Sequence, residues 1–332
     1  MALIKIGITL GDVNGIGPEV ALKATLQHRW SPHIRFVLIG SYAIASQQAK
    51  VFGLKNPPIC QTPTLITPTH KVVLWDPSPK QALKWVPGKI HKAASKAAYQ
   101  WIQTGVQACI DQRLDALVTA PICKEGFHKS DICFPGHTEL LAKLTRTPKY
   151  VMMLIGDSLR VTLVTRHIPL RKVPSQLNKE KIIDTLSITA KGLKWLGCKQ
   201  QKIALCGLNP HAGDGGAIGE EELGFIREAV RITQKEGIHV DGPVSADTIF
   251  HKALQGEYNA VVALYHDQGL IPLKTVAFDR GVNITLGLPI LRTSPDHGTA
   301  FQIAGQNKAN PSSMKEAIKL ACRLAKRENP FT

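Results

Sequence analysis

A chain of 332 residues that is 44% hydrophobic and only 20% charged can bury a large core and is too apolar for extensive disorder. Its net charge of +16, from 41 basic and 25 acidic residues, raises nucleic acid, an acidic membrane surface and small anions as partners. The bases are scattered, Lys84, Lys89, Lys92 and Lys96 along one expected helix and others between Lys315 and Arg327, with no basic stripe interleaved with aromatics. Nucleic acid is therefore set aside; solvated helix faces are the preferred reading of the charge, and a basic surface would also attract phosphorylated substrates.

Seven unpatterned cysteines, with no Cys-x-x-Cys pair, point to reduced thiols. The N-terminus lacks the basic start and sustained apolar run of a signal peptide, and no window reaches the length of a membrane span. The expectation is a cytoplasmic protein without a membrane partner.

Short β-branched runs alternate with helical patterns, which predicts an α/β protein with a parallel or mixed sheet. In chain order, strands are expected at 4–10, 35–40, 71–75, 116–120, 151–155, 160–165, 202–206 and 260–264. Helices are expected at 18–28, 89–111, 138–144, 179–196, 219–235 and 312–326. The Pro-rich stretch 56–70 reads as a surface loop. Glycine-rich segments follow strands throughout, where open α/β sheets bind ligands.

The first such segment, Gly7 to Glu19, is a strand, a glycine loop and a helix led by Pro18, whose missing N–H costs nothing in a first turn. Asp12 there is either a site carboxylate or a turn residue. Phe134-Pro-Gly-His137-Thr138-Glu139 opens a helix whose N-terminus, with an imidazole and a hydroxyl, suits a phosphate or carboxylate, unless Thr138 is only a cap. Gly-Asp-Gly-Gly after His211 is either an anion-binding loop or a tight turn needing positive φ. It lacks the Lys-Ser/Thr of a nucleotide P-loop, and no strand is followed by Gly-x-Gly-x-x-Gly.

His167, His211 and His266 each stand just past an expected strand end. Singly, a histidine at a strand end is more often a hydrogen-bonded structural residue; together, three imidazoles so placed favour a divalent metal with open coordination positions. Lys274, Asn283 and Arg292 lie in the densest block of site-like residues, from Leu264 to Gly305, and complete an anion-binding wall, with Arg offering a bidentate fork and Lys a point charge.

Taken in order, Gly-Ile-Thr-Leu-Gly-Asp, Thr-Ala-Pro-Ile-Cys-Lys-Glu, Gly-His-Thr-Glu, His-Ile-Pro-Leu, Leu-Asn-Pro-His-Ala-Gly, Ala-Asp-Thr-Ile-Phe and the block from Tyr265 resemble the 4-hydroxythreonine-4-phosphate dehydrogenase family of vitamin B6 biosynthesis, from Gly7 to about Ser313. The resemblance implies an isocitrate/isopropylmalate-dehydrogenase-like α/β fold with two lobes and a cleft between them. Lobe one is expected at 1–135 plus 272–332, and lobe two at 136–271 with the metal and dimer contacts. It also implies a homodimer with its active site at the interface and a divalent metal (zinc, magnesium or cobalt) held by His167, His211 and His266, the third from the partner chain. Substrate contacts would come from His137, Thr138, Lys274, Asn283 and Arg292.

The reaction implied is oxidation of 4-phosphooxy-L-threonine by NAD or NADP, then loss of CO2 from the β-keto acid to give 3-amino-2-oxopropyl phosphate. Asp247, Asp267 and Lys274 are the candidates for accepting the alcohol proton, and no residue is read as a cofactor contact. The alternative is a paralogous dehydrogenase of threonate or erythronate 4-phosphate. Two departures from the family pattern are Val13-Asn14, where Pro-Ala is commoner, and Cys123, in place of a usual Asn.

Overall fold

The computed structural model describes residues 3–60, 70–80 and 83–332. Chain contacts divide it into two compact units, residues 1–147 with 288–330 and 332, and residues 148–287 with 331. The helix that begins at His137 thus belongs to the first unit, and the stretch 272–287 to the second, whereas the sequence-based lobe borders fell at 135/136 and 271/272.

Among the described residues the first unit carries six strands, β1 (Ile4–Thr9), β2 (Ile34–Ile39), β3 (Ile59–Cys60), β4 (Val72–Trp75), β5 (Ala116–Thr119) and β12 (Arg292–Pro295), in the order β3-β4-β2-β1-β5-β12. Every pairing among them is parallel. Strands buried on both faces read as near-continuous apolar runs, as in β2, Ile-Arg-Phe-Val-Leu-Ile, buried at every position and broken only by Arg35. Around this sheet run α1 (Gly17–Leu26), α2 (Tyr42–Val51), α3 (Lys92–Ile110), α4 (Lys124–Lys129), α5 (His137–Leu144) and α11 (Ser312–Leu324). In α3 the buried positions Ala94, Ala97, Ala98, Trp101, Ile102 and Gly105 recur at three and four residues, the stripe of a helix with one face on a core. The expected start at Lys89 is displaced because His91 caps the helix, its Nδ1 accepting the Ala93 N–H at 3.2 Å, which leaves Lys84 and Lys89 outside it.

The second unit has strand order β11 (Val282–Leu286), β6 (Val151–Gly156), β7 (Leu159–Leu163), β10 (Ala260–Ala263), β8 (Ile203–Cys206) and β9 (Val240–Val244). β11 and β7 both run antiparallel to β6, while β7, β10, β8 and β9 are parallel. β6 and β7 form a hairpin across Asp157-Ser158, with Asp157 at φ 51, as a two-residue turn of this hand requires. The helices are α6 (Val173–Gln176), α7 (Lys179–Leu196), α8 (Arg227–Lys235), α9 (Ala246–Leu254) and α10 (His266–Ala277). α7 matches its expected span because both ends are written locally: Asn178 accepts the Lys181 N–H at 2.9 Å, and Gly197 ends the helix at φ 84. Leu154, Leu159, Val161, Leu163, Ala204, Cys206, Val261 and Ala263 centre the core.

All eight expected strands are present within a residue or two, and the described residues hold four more, β3, β9, β11 and β12. The Pro-rich loop expected at 56–70 contains β3, and its residues 61–69 lie outside those described. The helix expected over 219–235 is α-helical only from Arg227, preceded by a π-helical turn over Glu222–Ile226 that Gly224 interrupts at φ −87, ψ −121. Among the described residues, no helix is long and apolar enough to cross a membrane.

Candidate active site

In the first unit, α5 opens after Gly136, whose backbone is extended and whose position supplies no side-chain cap. The helix dipole and first-turn amides there favour an anion. Thr138, 6% exposed, sits inside the first turn rather than at the cap, which removes the capping alternative. The His137 Nε2 is buried without a hydrogen-bond partner. Burial, then the positive charges of Arg292 and Lys124, hold its pKa well below the usual histidine range, so the ring is neutral at pH 7.

Arg292, at the start of β12, is 1% exposed and donates from Nε and Nη2 to the Thr119 Oγ1, at 3.1 and 2.6 Å. Burial pushes its pKa down to about 9, partly offset by the Glu139 carboxylate, and it remains a cation at neutral pH. Parallel pairing of Arg292 with Leu117 and Thr293 with Val118 sets this placement. A Cβ on Gly136 would stand 3.6 Å from the Glu139 Oε2 and 3.7 Å from the Lys124 Cε, so both charges flank the helix start. His137, Thr138 and Arg292 were legible in sequence; Lys124 and Glu139 were passed over because each reads as an ordinary helix charge.

The glycine loop after β1 is closed upon itself. The Asp12 N–H donates to the Pro121 carbonyl, Asn14 to the Asp12 Oδ1, Gly15 to the Asp12 carbonyl and Ile16 to the Thr299 carbonyl, all between 2.9 and 3.1 Å. Four of its amides are thus committed within the unit. Asp12 is fully buried and its Oδ2 has no hydrogen-bond partner. Burial raises its pKa to about 6, against the opposing pulls of the Asn14 N–H, His91 and Ser95.

In the second unit β7, β10 and β8 are adjacent and parallel, and the chain leaving each carries one candidate histidine: His167 after β7, His266 after β10, His211 after β8. The first two exits are tied by the Val164 and Thr165 N–H groups donating to Ala263 and Leu264, and by the Thr165 Oγ1 on the Leu264 carbonyl at 2.7 Å. The His167 and His266 rings lie 5.4 Å apart, tilted by 45°. The His266 Nδ1 is 2.7 Å from the Asp267 Oδ1, leaving Nε2 for a ligand, an arrangement common around metals. Gln268, not singled out in sequence, spans two exits, accepting from the Leu264 N–H and donating to the Gly207 carbonyl, each at 2.7 Å.

His211 is grouped differently, its Nδ1 4.0 Å from the Asp247 Oδ2, with both side chains more than half exposed. It begins a left-handed stretch in which His211, Ala212, Gly213, Asp214, Gly215 and Gly216 all have positive φ, from 44 to 102°. The glycines here serve backbone handedness, and the run includes three residues for which it is strained. Glu222, 1% exposed, accepts the Leu208 and Asn209 N–H groups at 2.7 Å each and the Asn209 Nδ2 at 2.9 Å.

Asp247 and Asp267 occupy the first turns of α9 and α10, where the helix dipole favours a carboxylate. Lys274, half-buried, lies on α10, and Asn283, on β11, has a buried Oδ1 without a hydrogen-bond partner. Among the described residues, no three His, Cys, Asp or Glu side chains of one chain come together as a metal ion requires.

The family described as pyridoxal phosphate biosynthetic protein PdxA matches residues 33–321. A 4-hydroxythreonine-4-phosphate dehydrogenase of Geobacter metallireducens is 42% identical over 325 residues, covering 97% of this chain and 96% of that protein. A D-threonate 4-phosphate dehydrogenase of Pectobacterium atrosepticum is 39% identical, covering 96% and 99%. The solved structure of a 4-hydroxythreonine-4-phosphate dehydrogenase from Klebsiella pneumoniae superposes with a TM-score of 0.85 at 36% identity, covering 97% of this chain and 99% of that one. On near-complete coverage at this identity, the chain belongs to the PdxA family.

Proposed function

We propose that this protein is a 4-hydroxythreonine-4-phosphate dehydrogenase that oxidises the C3 hydroxyl of 4-phosphooxy-L-threonine with NAD or NADP. The observation that carries the reading is the 42% identity, across 97% of the chain, to a relative bearing that name. The buried Arg292 beside a neutral His137 at the uncapped start of α5 supports it, as the chemistry of a site for a phosphate group. Arg292 supplies charge, Thr138 a hydroxyl, and the His137 Nε2, as an N–H donor, a neutral hydrogen bond. Lys274 and Asn283 are proposed to hold the rest of the substrate.

The donor chemistry of His167, His211 and His266 suits a divalent ion such as zinc, magnesium or cobalt, with Asp267 orienting the His266 ring. Such an ion supplies Lewis-acid polarisation of the reacting carbon–oxygen bond. Asp247, Asp267 and Lys274 are the candidates for accepting the alcohol proton, Lys274 only in its neutral form. The oxidised product is a β-keto acid, 2-amino-3-oxo-4-phosphooxybutanoate, which loses CO2 to give 3-amino-2-oxopropyl phosphate.

A homodimer completes the ligand set, with His266 coming from the second copy. The apolar side chains Ile168 and Leu170, just after His167, and Ile271, Val276 and Phe278, along and at the end of the helix that His266 opens, are 36 to 75% exposed in one chain, an amount of surface that a second copy would cover.

The test is NADH formation by the purified chain with 4-phosphooxy-L-threonine, NAD and added divalent metal, beside D-threonate 4-phosphate and a His211→Ala control. Metal-dependent NADH that the substitution abolishes is expected; because His211 is exposed, the thermal midpoint should move little. The D-threonate 4-phosphate reading is kept because a relative of that name is 39% identical, and faster turnover of that substrate would replace the first reading with it.

A further inference from the structure

An exposed imidazole on a strained turn is a poor metal ligand unless something fixes the turn. We propose that Glu222 is the positioning residue of His211, an inference that rests on the metal role given to that histidine. Glu222 lies eleven residues beyond it, at the start of the π-helical turn that displaces the expected helix. π-helical turns of this kind recur at functional sites.

Its carboxylate is the hub of the loop. One oxygen accepts both the Leu208 and Asn209 N–H groups, and the other accepts the Asn209 Nδ2. The second hydrogen of that amide goes to the Glu221 Oε2 at 2.8 Å, so Asn209 is gripped between two carboxylates. Asn209 in turn receives the Ala212 N–H on its carbonyl, one residue beyond His211. The chain on both sides of His211 packs on the same group: a Cβ on Gly207 would stand 3.2 Å from the Glu222 Oε1, and one on Gly213 2.8 Å from its Oε2. Glu222 is thus bonded before His211 and packed after it. Among the described residues no cation pairs with this buried carboxylate, which is held by N–H donors alone.

Acceptor-only chemistry is what the position demands. A glutamine there would keep one oxygen for the two backbone amides but would turn its NH2 toward the Asn209 NH2, donor against donor. Flipping the Asn209 amide relieves that clash only by presenting its oxygen to the Glu221 carboxylate. Glu222→Gln is therefore nearly isosteric yet loosens the turn, and Glu222→Asp keeps the charge with a shorter reach.

Full-length wild type, Glu222→Gln and Glu222→Asp are titrated with Co2+ by calorimetry, with kcat, KM and thermal midpoints measured alongside. Thr189→Ala, which removes a buried hydroxyl bonded to Thr162 and Thr185 in the same unit, matches any loss of midpoint without touching the turn. Glu222→Gln should weaken Co2+ binding on the order of 10- to 100-fold, as losses of an orienting partner do, with Glu222→Asp recovering part of it and Thr189→Ala unchanged. Co2+ affinity retained by Glu222→Gln, or lost equally in Thr189→Ala, overturns the positioning role. Wild type that binds no Co2+ instead overturns the metal reading, and the role of Glu222 with it. If Glu222→Gln does not fold, hydrogen exchange at the Leu208 and Asn209 amides of Glu222→Asp decides: acceleration of tenfold or more supports the proposal, and unchanged exchange overturns it.

Discussion

The proposed anion pocket of the first unit and the candidate histidine group of the second are built on opposite plans. Arg292 and Thr138 are buried, and the pocket's charges are fixed by strand register, a helix start and the Thr119 hydroxyl. His167, His211, Asp247 and Asp267 are exposed, and what order they have comes from backbone ties at strand exits. A preorganised anion site can be finished inside one chain, because desolvation of its cation is met by the fold itself. A ligand set shared between two copies, as proposed for the histidines, could not, and its residues would remain at the surface of the chain that carries them.

This contrast can be tested by substitution. The largest effect is expected at Arg292. Arg292→Lys keeps the charge but loses the planar fork, and should raise KM for the phosphorylated substrate by 2–3 kcal/mol, roughly 30- to 150-fold, with a smaller change in kcat. An unchanged KM would mean that the buried guanidinium serves packing and not the substrate.

Next comes Asp12. A carboxyl whose folded pKa lies near 6, above its ordinary 3.8, contributes stability only while protonated, fully below pH 4, and loses it as pH rises through 6. Asp12→Asn escapes that loss and keeps the acceptor for the Asn14 N–H. It should therefore gain about 2–3 kcal/mol over wild type above pH 7, the gain vanishing below pH 4, as denaturant melts across pH would record. A gain that persists at pH 4 would remove charge burial as its cause.

The smallest effect is at Cys123, which caps α4 by accepting the Gly126 N–H at 3.2 Å through sulfur. This is the position where the family resemblance expected Asn, a better oxygen acceptor. Cys123→Asn should stabilise by about 0.5–1 kcal/mol, read as a small rise in thermal midpoint. Destabilisation would show that packing of the buried thiol outweighs the cap.

Apolar strands and helix boundaries with local caps were legible in the sequence, which is why the α/β class and eight strands could be read. β9 was hidden by Gly242-Pro243, which reads as a turn, and β12 by its composition, Arg-Thr-Ser-Pro, polar at nearly every position yet fully buried. α10 was hidden by Gly269 and Pro272. For the site, residue types announced His137, Arg292 and the three histidines. The Asn209–Glu222 clamp did not announce itself, since a glutamate at a helix start is ordinary until the carboxylate is seen turned back into the loop. Nor could spacing divide the histidines into the His167–His266 pair and His211 beside Asp247.

The first unit is discontinuous, closed by a segment that returns only at residue 288. His137 and Thr119 are therefore synthesised more than 140 residues before the guanidinium that completes their pocket. A nascent or truncated chain ending before Arg292 holds most of the first sheet and lacks the buried cation. If Arg292 holds the phosphate as proposed, that affinity would arrive only with the last strand, and a peptide supplying β12 and α11 in trans is the natural means of restoring it to a shortened chain.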